Sequence, residues 1–132
     1  MKDHSIEIIF VREYKNFISA FQKKSKEDYV LNVNKIIKEK FKTKFIVPNK
    51  VQSFLVNYEI KKLLDKAINI KNKKYRRVIY LNSNLSSSVI LNTIDFAEDE
   101  YPELTFSYHL VESKSLDEEE IIIDKLNKIK IK

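Results

Sequence analysis

A basic run at residues 71–77 is the densest group of side chains in this sequence that could bind a ligand. Its five cations can neutralise phosphates, and its tyrosine can stack on a nucleic-acid base. Three lysines upstream are spaced to share one face of a predicted helix and extend the same surface. The residues expected to contact nucleic acid or an acidic protein are Lys71, Lys73, Lys74, Tyr75, Arg76 and Arg77, supported by Lys35, Lys38 and Lys42. The alternative is a solvated connector.

A second group of polar residues follows the predicted strands, where open parallel sheets bind their ligands. The run Ser86 to Ser88 opens a predicted helix, so its hydroxyls and the free N–H groups of the first turn could hold an anion. A small phosphorylated, nucleotide-like ligand would then contact Arg12, Lys50, Ser83, Asn84, Ser86 and Lys114. The simpler interpretation of these serines and asparagines is helix capping, which needs the same residue types.

The chain contains no glycine and no cysteine. Phosphate-binding loops, the EF-hand turn and the serine-hydrolase elbow all need glycine. The lack of cysteine excludes disulfides and thiolate metal sites. The two histidines, His4 and His109, are not at metal-ligand spacing, and we expect His109 to be a packed or half-exposed residue of a strand. We therefore expect no metal, no cofactor and no catalytic residues, and the sequence favours a binding protein over an enzyme.

One short pattern points to nuclease chemistry. Glu112-Ser113-Lys114 follows a predicted strand and fits the E-x-K portion of a PD-(D/E)xK-type nuclease, in which a carboxylate binds Mg²⁺. Such a site needs a second carboxylate on a neighbouring strand, and the nearest upstream candidates, Asp95 and Asp99, lie in a predicted helix. Because E-x-K recurs by chance in a lysine-rich chain, we expect an exposed ion pair here instead.

The hydrophobic periodicity alternates between strand-like and helix-like segments. Strands are predicted at 6–11, 45–47, 78–81 and 104–111, and a helical pattern lies before or after each. Tyr29 is assigned to the second of these helices, Asn49 can cap the third, and the tail from Leu116 is helix-like, although 128–132 could instead form an edge strand. Strands separated by whole helices pair in parallel through right-handed crossovers.

The expected fold is therefore a single α/β domain spanning residues 1–132. It is a three-layer sandwich with a short, mostly parallel sheet of about four strands flanked by helices, in a Rossmann-like topology without a glycine loop. The competing arrangement is an α+β domain with an antiparallel hairpin. No Asn-Gly or Asp-Gly turn supports that arrangement.

The strand–loop–helix order is similar in topology to that of the small P-loop kinases. This similarity implies a nucleotide-like ligand at the strand ends. The segment 11–16 has neither a glycine nor the Lys-Ser/Thr pair of those enzymes, and strand three ends in Asn82 instead of an acidic Mg²⁺ ligand. A chain of such ancestry would be a degenerate NTPase or kinase-like protein without catalysis.

Charge is distributed unevenly along the chain. Residues 15–77 hold eighteen Lys and Arg against five Asp and Glu, whereas residues 78–124 hold one Lys against eleven Asp and Glu. A separation this large predicts a basic face that attracts polyanions and an acidic face that repels them. The two poles could also dock on each other between copies and give a homo-oligomer. An A/T-rich genome, which favours Lys, Ile and Asn codons, would account for part of the lysine excess.

Location and partners are only broadly bounded. Met1-Lys2-Asp3-His4 lacks the apolar stretch that follows the basic start of a signal peptide, and no apolar run is long enough to cross a bilayer. We therefore expect a cytoplasmic protein without a membrane partner. Seven tyrosines and eight phenylalanines exceed what many cores of this size need. A third hypothesis is therefore a structural or assembly subunit, for example of a virus or mobile element.

Overall fold

Three parallel strands form the centre of the fold. The structure is a computed structural model that describes residues 5–13, 29–31, 50–70, 75–113 and 116–128. β1 (Ser5–Glu13) lies between β3 (Tyr75–Leu81) and β4 (Thr105–Ser113) and runs parallel to both. A short strand, β2 (Tyr29–Leu31), pairs antiparallel with β4, so that the described strands follow the order β2-β4-β1-β3.

Helices cover both faces of this sheet. α1 (Lys50–Ile68) and α2 (Ser87–Glu100) pack on one face, and α3 (Glu119–Lys128) packs on the other. Side chains of a strand alternate between faces. Accordingly, Ile8 and Phe10 of β1 contact α1 and α2, whereas Ile9 belongs to the smaller core beneath α3.

Local signals explain where two of the helices begin and end. The hydroxyl of Ser86 caps α2 by accepting a hydrogen bond from the backbone N–H of Val89 at 3.3 Å, and α2 ends before Pro102, which disfavours helical backbone at the preceding residue. α3 has acidic residues in its first turn and Lys125 and Lys128 in its last turn, so its charges complement the helix dipole. None of the described helices is long and apolar enough to cross a membrane.

The α/β class and the parallel sheet are confirmed, and the details of the sheet differ from the prediction. The parallel part has three strands instead of four, because the predicted strand 45–47 lies outside the described residues. The order does not support a Rossmann-like topology. Tyr29, assigned to a helix by its spacing, lies instead in β2, where it is opposite Ser113 of β4. The possible edge strand 128–132 falls outside the described residues beyond Lys128.

Candidate functional site

The two arginines of the basic run face into the protein. Arg76 is 6% exposed and donates a hydrogen bond from Nη2 to the carbonyl oxygen of Ile70 at 2.7 Å. Arg77 donates from Nη1 to the carbonyl oxygen of Leu126 at 2.6 Å and from Nε to the carboxylate of Glu7. Neither guanidinium is presented to a polyanion, so we remove both arginines from the candidate surface.

The remaining residues of the predicted nucleic-acid site are mostly outside the described part of the chain. Tyr75 begins β3. The lysines that lie outside the described residues are Lys71, Lys73, Lys74, Lys35, Lys38 and Lys42. The basic loop therefore stays a prediction.

A buried ionic cluster joins the three parallel strands beneath α3. Glu7 on β1 is 2% exposed and lies opposite Arg77 on β3. Its second carboxylate oxygen accepts a hydrogen bond from Nε2 of His109 on β4 at 2.8 Å. Because Arg77 also reaches the last turn of α3, the cluster ties sheet and helix together. Glu7, a charged residue inside the apolar run Ile6–Val11, was the signal in the sequence for this cluster, but it belongs to no recognised motif.

This cluster supports the fold and offers no reactive group to a ligand. Both histidine nitrogens of His109 are enclosed, and Nδ1 has no hydrogen-bond partner among the described atoms. A general base must come within hydrogen-bond reach of its substrate, which this burial prevents. Within the described ranges, no group of three His, Asp or Glu side chains is arranged to hold a metal ion.

Several residues predicted for a phosphorylated ligand meet at the carboxyl edge of the sheet. Arg12 donates from Nη1 to the carbonyl oxygen of Leu85 and to the hydroxyl of Ser87, both at 3.1 Å. Gln52, in the first turn of α1, donates to the carbonyl oxygen of Asn84 at 3.1 Å. Lys50, Ser83, Asn84 and Ser86 therefore lie near this edge with Arg12, whereas Lys114 is outside the described residues.

The charge of Arg12 is already balanced within the protein. Its Nε lies 3.6 Å from the carboxylate of Glu112, the residue opposite it on β4. The Ser86 hydroxyl is engaged as the cap of α2. A phosphate arriving at this edge would compete with the Glu112 carboxylate, so the edge is less favourable to anions than its composition alone predicts.

The nuclease pattern is not completed in space. Glu112 lies at the carboxyl edge, where α2 begins at Ser87 beside Arg12. Asp99 is twelve residues further along α2 and therefore about 18 Å away along the helix axis. Asp95 and Asp99 are both exposed on α2 and lie on no neighbouring strand, so neither supplies the second carboxylate of a PD-(D/E)xK-type site. The exposed ion pair expected at this motif is wrong for Glu112, which is 3% exposed and lies beside Arg12, and Lys114 is outside the described residues.

The most distinctive exposed surface lies on α1. Its core side consists of Val56, Ile60 and Leu64, which are buried. On the opposite side, large apolar residues recur at spacings of three and four, and Lys62 follows one turn after Tyr58. We call this surface the α1 outer face: Val51, Phe54, Leu55, Tyr58 and Lys62. α1 thus has apolar residues on two sides and buries only one of them. The sequence contained this signal, but we used these residues only to locate the helix.

Aromatic and cationic side chains lie together on the α1 outer face. Phe54 is 72% exposed and Tyr58 is 55% exposed. Nζ of Lys62 lies 4.8 Å from the centre of the Tyr58 ring, within the range of a cation–π interaction. The face therefore combines flat, accessible rings with a positive charge.

A groove of about 440 Å³ continues from this face along β3, which is the outermost of the described strands on that side. Lys62 belongs to both the α1 outer face and the groove. The residues that line the groove are Glu59, Lys62, Leu63 and Lys66 of α1, Ile79, Tyr80 and Leu81 of β3, and Glu119 and Ile123 of α3. The groove thus combines apolar side chains with two cations of α1 and with two carboxylates, Glu59 of α1 and Glu119 of α3.

Tyr80 is a fixed wall of this groove. Its hydroxyl donates to the carboxylate of Glu59 at 3.0 Å and accepts from Nδ2 of Asn82 at 3.2 Å. Burial, reinforced by the hydrogen bond to Glu59 and its negative charge, raises the pKa of Tyr80 to about 12. The phenol is therefore neutral at physiological pH and adds no negative charge to the groove.

Acidic residues collect on the other side of α1. The carboxylates on and just after the second half of α2 are all exposed: Asp95, Glu98, Asp99, Glu100 and Glu103. Lys61 faces them, with Nζ 3.7 Å from Glu100 and 3.9 Å from Asp65. Burial, together with a hydrogen bond to Asp65, raises the pKa of Tyr101 well above its usual range at this boundary. The acidic surface formed with α2 therefore lies along one side of α1, next to Lys61, and the α1 outer face lies on another side of the same helix.

Comparison with family models, with curated proteins and with solved structures gave no match for this chain.

Proposed function

We propose that this chain is a non-enzymatic binding domain that contacts nucleic acid or another polyanionic partner through the α1 outer face. The observation that carries the proposal is the pairing of exposed Phe54 and Tyr58 with Lys62 on one helix surface. Aromatic rings and cations side by side form the surface on which nucleic-acid bases stack while phosphates are neutralised.

The distribution of charge around α1 supports contact of a polyanion with the α1 outer face. The α1 outer face carries Lys62, and Lys66 lies one turn further along the same helix. The acidic surface formed by α2 lies across α1 from it, next to Lys61. A polyanion is attracted to the first surface and repelled by the second, and this difference fixes which side of the domain it meets.

Buried ionisable groups of the described strands are engaged with one another. Glu7, Arg77 and His109 bind one another, and Arg12 lies beside Glu112. Their arrangement favours a role in holding strands together, and binding is therefore the proposed activity in preference to catalysis.

Fluorescence anisotropy of a labelled oligonucleotide tests the proposal. We expect binding that weakens steeply between 50 and 200 mM salt, since phosphate contacts release counterions. Tyr58→Ala should weaken it by about 1–3 kcal/mol, the range for stacking on one base. Ile121→Ala, which removes an apolar side chain of similar exposure from α3, is the matched control and should change nothing. Affinity that is insensitive to salt, or equal losses in both variants, would contradict the proposal.

A phosphorylated small molecule at the carboxyl edge is the second candidate. One observation favours it: α1 and α2 both begin at this edge, next to Arg12, and helix N-termini attract anions. A thermal-shift measurement with nucleotides, with and without Mg²⁺, tests it. A rise in melting temperature with one nucleotide, lost in Ser83→Ala, would favour this candidate over the α1 outer face.

A further inference from the structure

We propose that the nucleic acid bound by this domain is single-stranded, and that one of its nucleotides enters the groove between α1, β3 and α3. This inference rests on the proposed function and specifies its ligand. It begins from Lys62, which lies over the Tyr58 ring on the α1 outer face and also lines the groove. A strand whose bases stack on Phe54 and Tyr58 is thus led directly to the groove.

The size and lining of the groove suit one nucleotide. Small-molecule sites range from about 300 to 1,000 Å³ and are mostly apolar with a few polar groups. This groove measures about 440 Å³, with Leu63, Ile79 and Ile123 available to the face of a base. Lys62 and Lys66 are placed on the α1 side, where they can hold the phosphates on either side of the inserted nucleotide.

The acidic groups of the groove act on the base and not on the phosphate. Glu59 and Glu119 are its two carboxylates, and carboxylates accept hydrogen bonds from the exocyclic amino groups of bases. Tyr80 is neutral and already donates its proton to Glu59. Phosphates are therefore favoured beside Lys62 and Lys66. A base with an amino group is favoured beside Glu119 of α3, since the Glu59 carboxylate on α1 already accepts a hydrogen bond from Tyr80.

A double helix does not satisfy this geometry. Its bases are stacked and paired inside the duplex, so that only a single strand, a loop or an end can present a base face to an aromatic ring or a groove. A polyanion without bases, such as heparin, would contact the lysines but would make no contact with the aromatic rings or with the apolar residues of the groove.

The test compares three probes by anisotropy at one salt concentration: a single-stranded oligonucleotide, the same sequence as a duplex, and heparin as competitor. We expect the single strand to bind at least tenfold more tightly than the duplex, and heparin to compete only weakly. Lys66→Ala should lower single-strand affinity several-fold, whereas Lys61→Ala, the matched control facing the acidic surface, should leave it unchanged.

Each outcome decides between explanations. Equal affinity for the single strand and the duplex, or an unchanged affinity in Lys66→Ala, overturns this inference and leaves the proposed function standing. If neither oligonucleotide binds, and heparin labelled and titrated in the same way does not bind either, the proposed function itself is overturned. Sedimentation that shows a dimer dissociated by Phe54→Ser overturns both, because the α1 outer face then belongs to a second copy of the chain.

Discussion

Lys61 and Lys62 are neighbours in the sequence and lie on different surfaces of α1. Nζ of Lys61 lies 3.7 Å from Glu100 and 5.4 Å from the centre of the Tyr101 ring, on the acidic side formed with α2. Nζ of Lys62 lies 4.8 Å from the centre of the Tyr58 ring, on the α1 outer face. Consecutive residues of a helix point about 100° apart. Lys61 is therefore paired with a carboxylate of α2, whereas Lys62 is directed to the α1 outer face, where a partner can reach it.

The first prediction concerns whether the α1 outer face is free in the folded chain. Phe54→Ser should change the free energy of unfolding by no more than about 0.5 kcal/mol, because the side chain is 72% exposed. Ile60→Ala, on the buried side of the same helix, should cost about 2–5 kcal/mol. Urea denaturation followed by circular dichroism measures both. A loss of 2 kcal/mol or more in Phe54→Ser would mean that another part of the chain covers this face.

The second prediction concerns the ionic cluster beneath α3. Arg77→Met leaves the buried Glu7 carboxylate without its guanidinium, and breaking a buried pair in this way costs about 3–5 kcal/mol. The exposed pair Lys128–Asp124 provides the control, since its side chains are 76% and 66% exposed. Lys128→Met should cost at most about 0.5 kcal/mol. Similar losses in both variants, measured by urea denaturation, would show that the cluster is not a stabilising element.

The third prediction concerns the carboxyl edge. Arg12→Met removes the guanidinium beside buried Glu112 and two hydrogen bonds to the start of α2, and we expect a loss of about 3 kcal/mol or more in the free energy of unfolding. The double variant Arg12→Met with Glu112→Leu should recover part of that loss, because it removes the buried carboxylate as well. A double variant that is less stable than the sum of the two single variants would contradict this explanation.

The fourth prediction concerns alkaline pH. The pKa of Tyr80 is raised from an ordinary value of about 10 to about 12, so the folded protein retains a phenol proton that the unfolded chain releases. The resulting stability is fully present below pH 10 and is lost as the pH rises from about 10 to 12. Absorbance at 295 nm during a pH titration should show at least one tyrosine ionising above pH 11 in the folded protein. Tyr80→Phe should lower the number of tyrosines that ionise above pH 11 by one, because burial also raises the pKa of Tyr101 and of Tyr108 well above the usual range. An unchanged number would contradict the assignment.

Local patterns were sufficient to predict part of this fold. The run Ile6–Val11 is apolar on both faces and became the central strand, as a sheet covered on both sides requires. Ser86 caps the beginning of α2, and Pro102 restricts the backbone where α2 ends. Both effects depend on neighbouring residues alone. Such features can be predicted from the sequence because they do not depend on contacts with distant residues.

Non-local contacts account for what sequence reasoning missed. The run Arg76-Arg77 looked like a solvated basic patch, yet Arg77 meets Glu7 from a strand seventy residues earlier. Tyr29 fits a helical spacing, but β2 exists because it pairs with β4. The α1 outer face was missed for another reason: residues such as Phe54 and Tyr58 were counted as markers of a helix before asking which side of it the core occupies.

The most direct test of polyanion binding at the α1 outer face is the dependence of oligonucleotide affinity on salt concentration in two single-lysine variants. A plot of log affinity against log salt falls with a slope of about 0.7 per phosphate contacted on a single strand. Lys62→Ala should reduce that slope by about 0.7, whereas Lys61→Ala should leave it at the wild-type value, because Lys61 is paired with Glu100. Identical slopes for wild type and Lys62→Ala would contradict binding at this face.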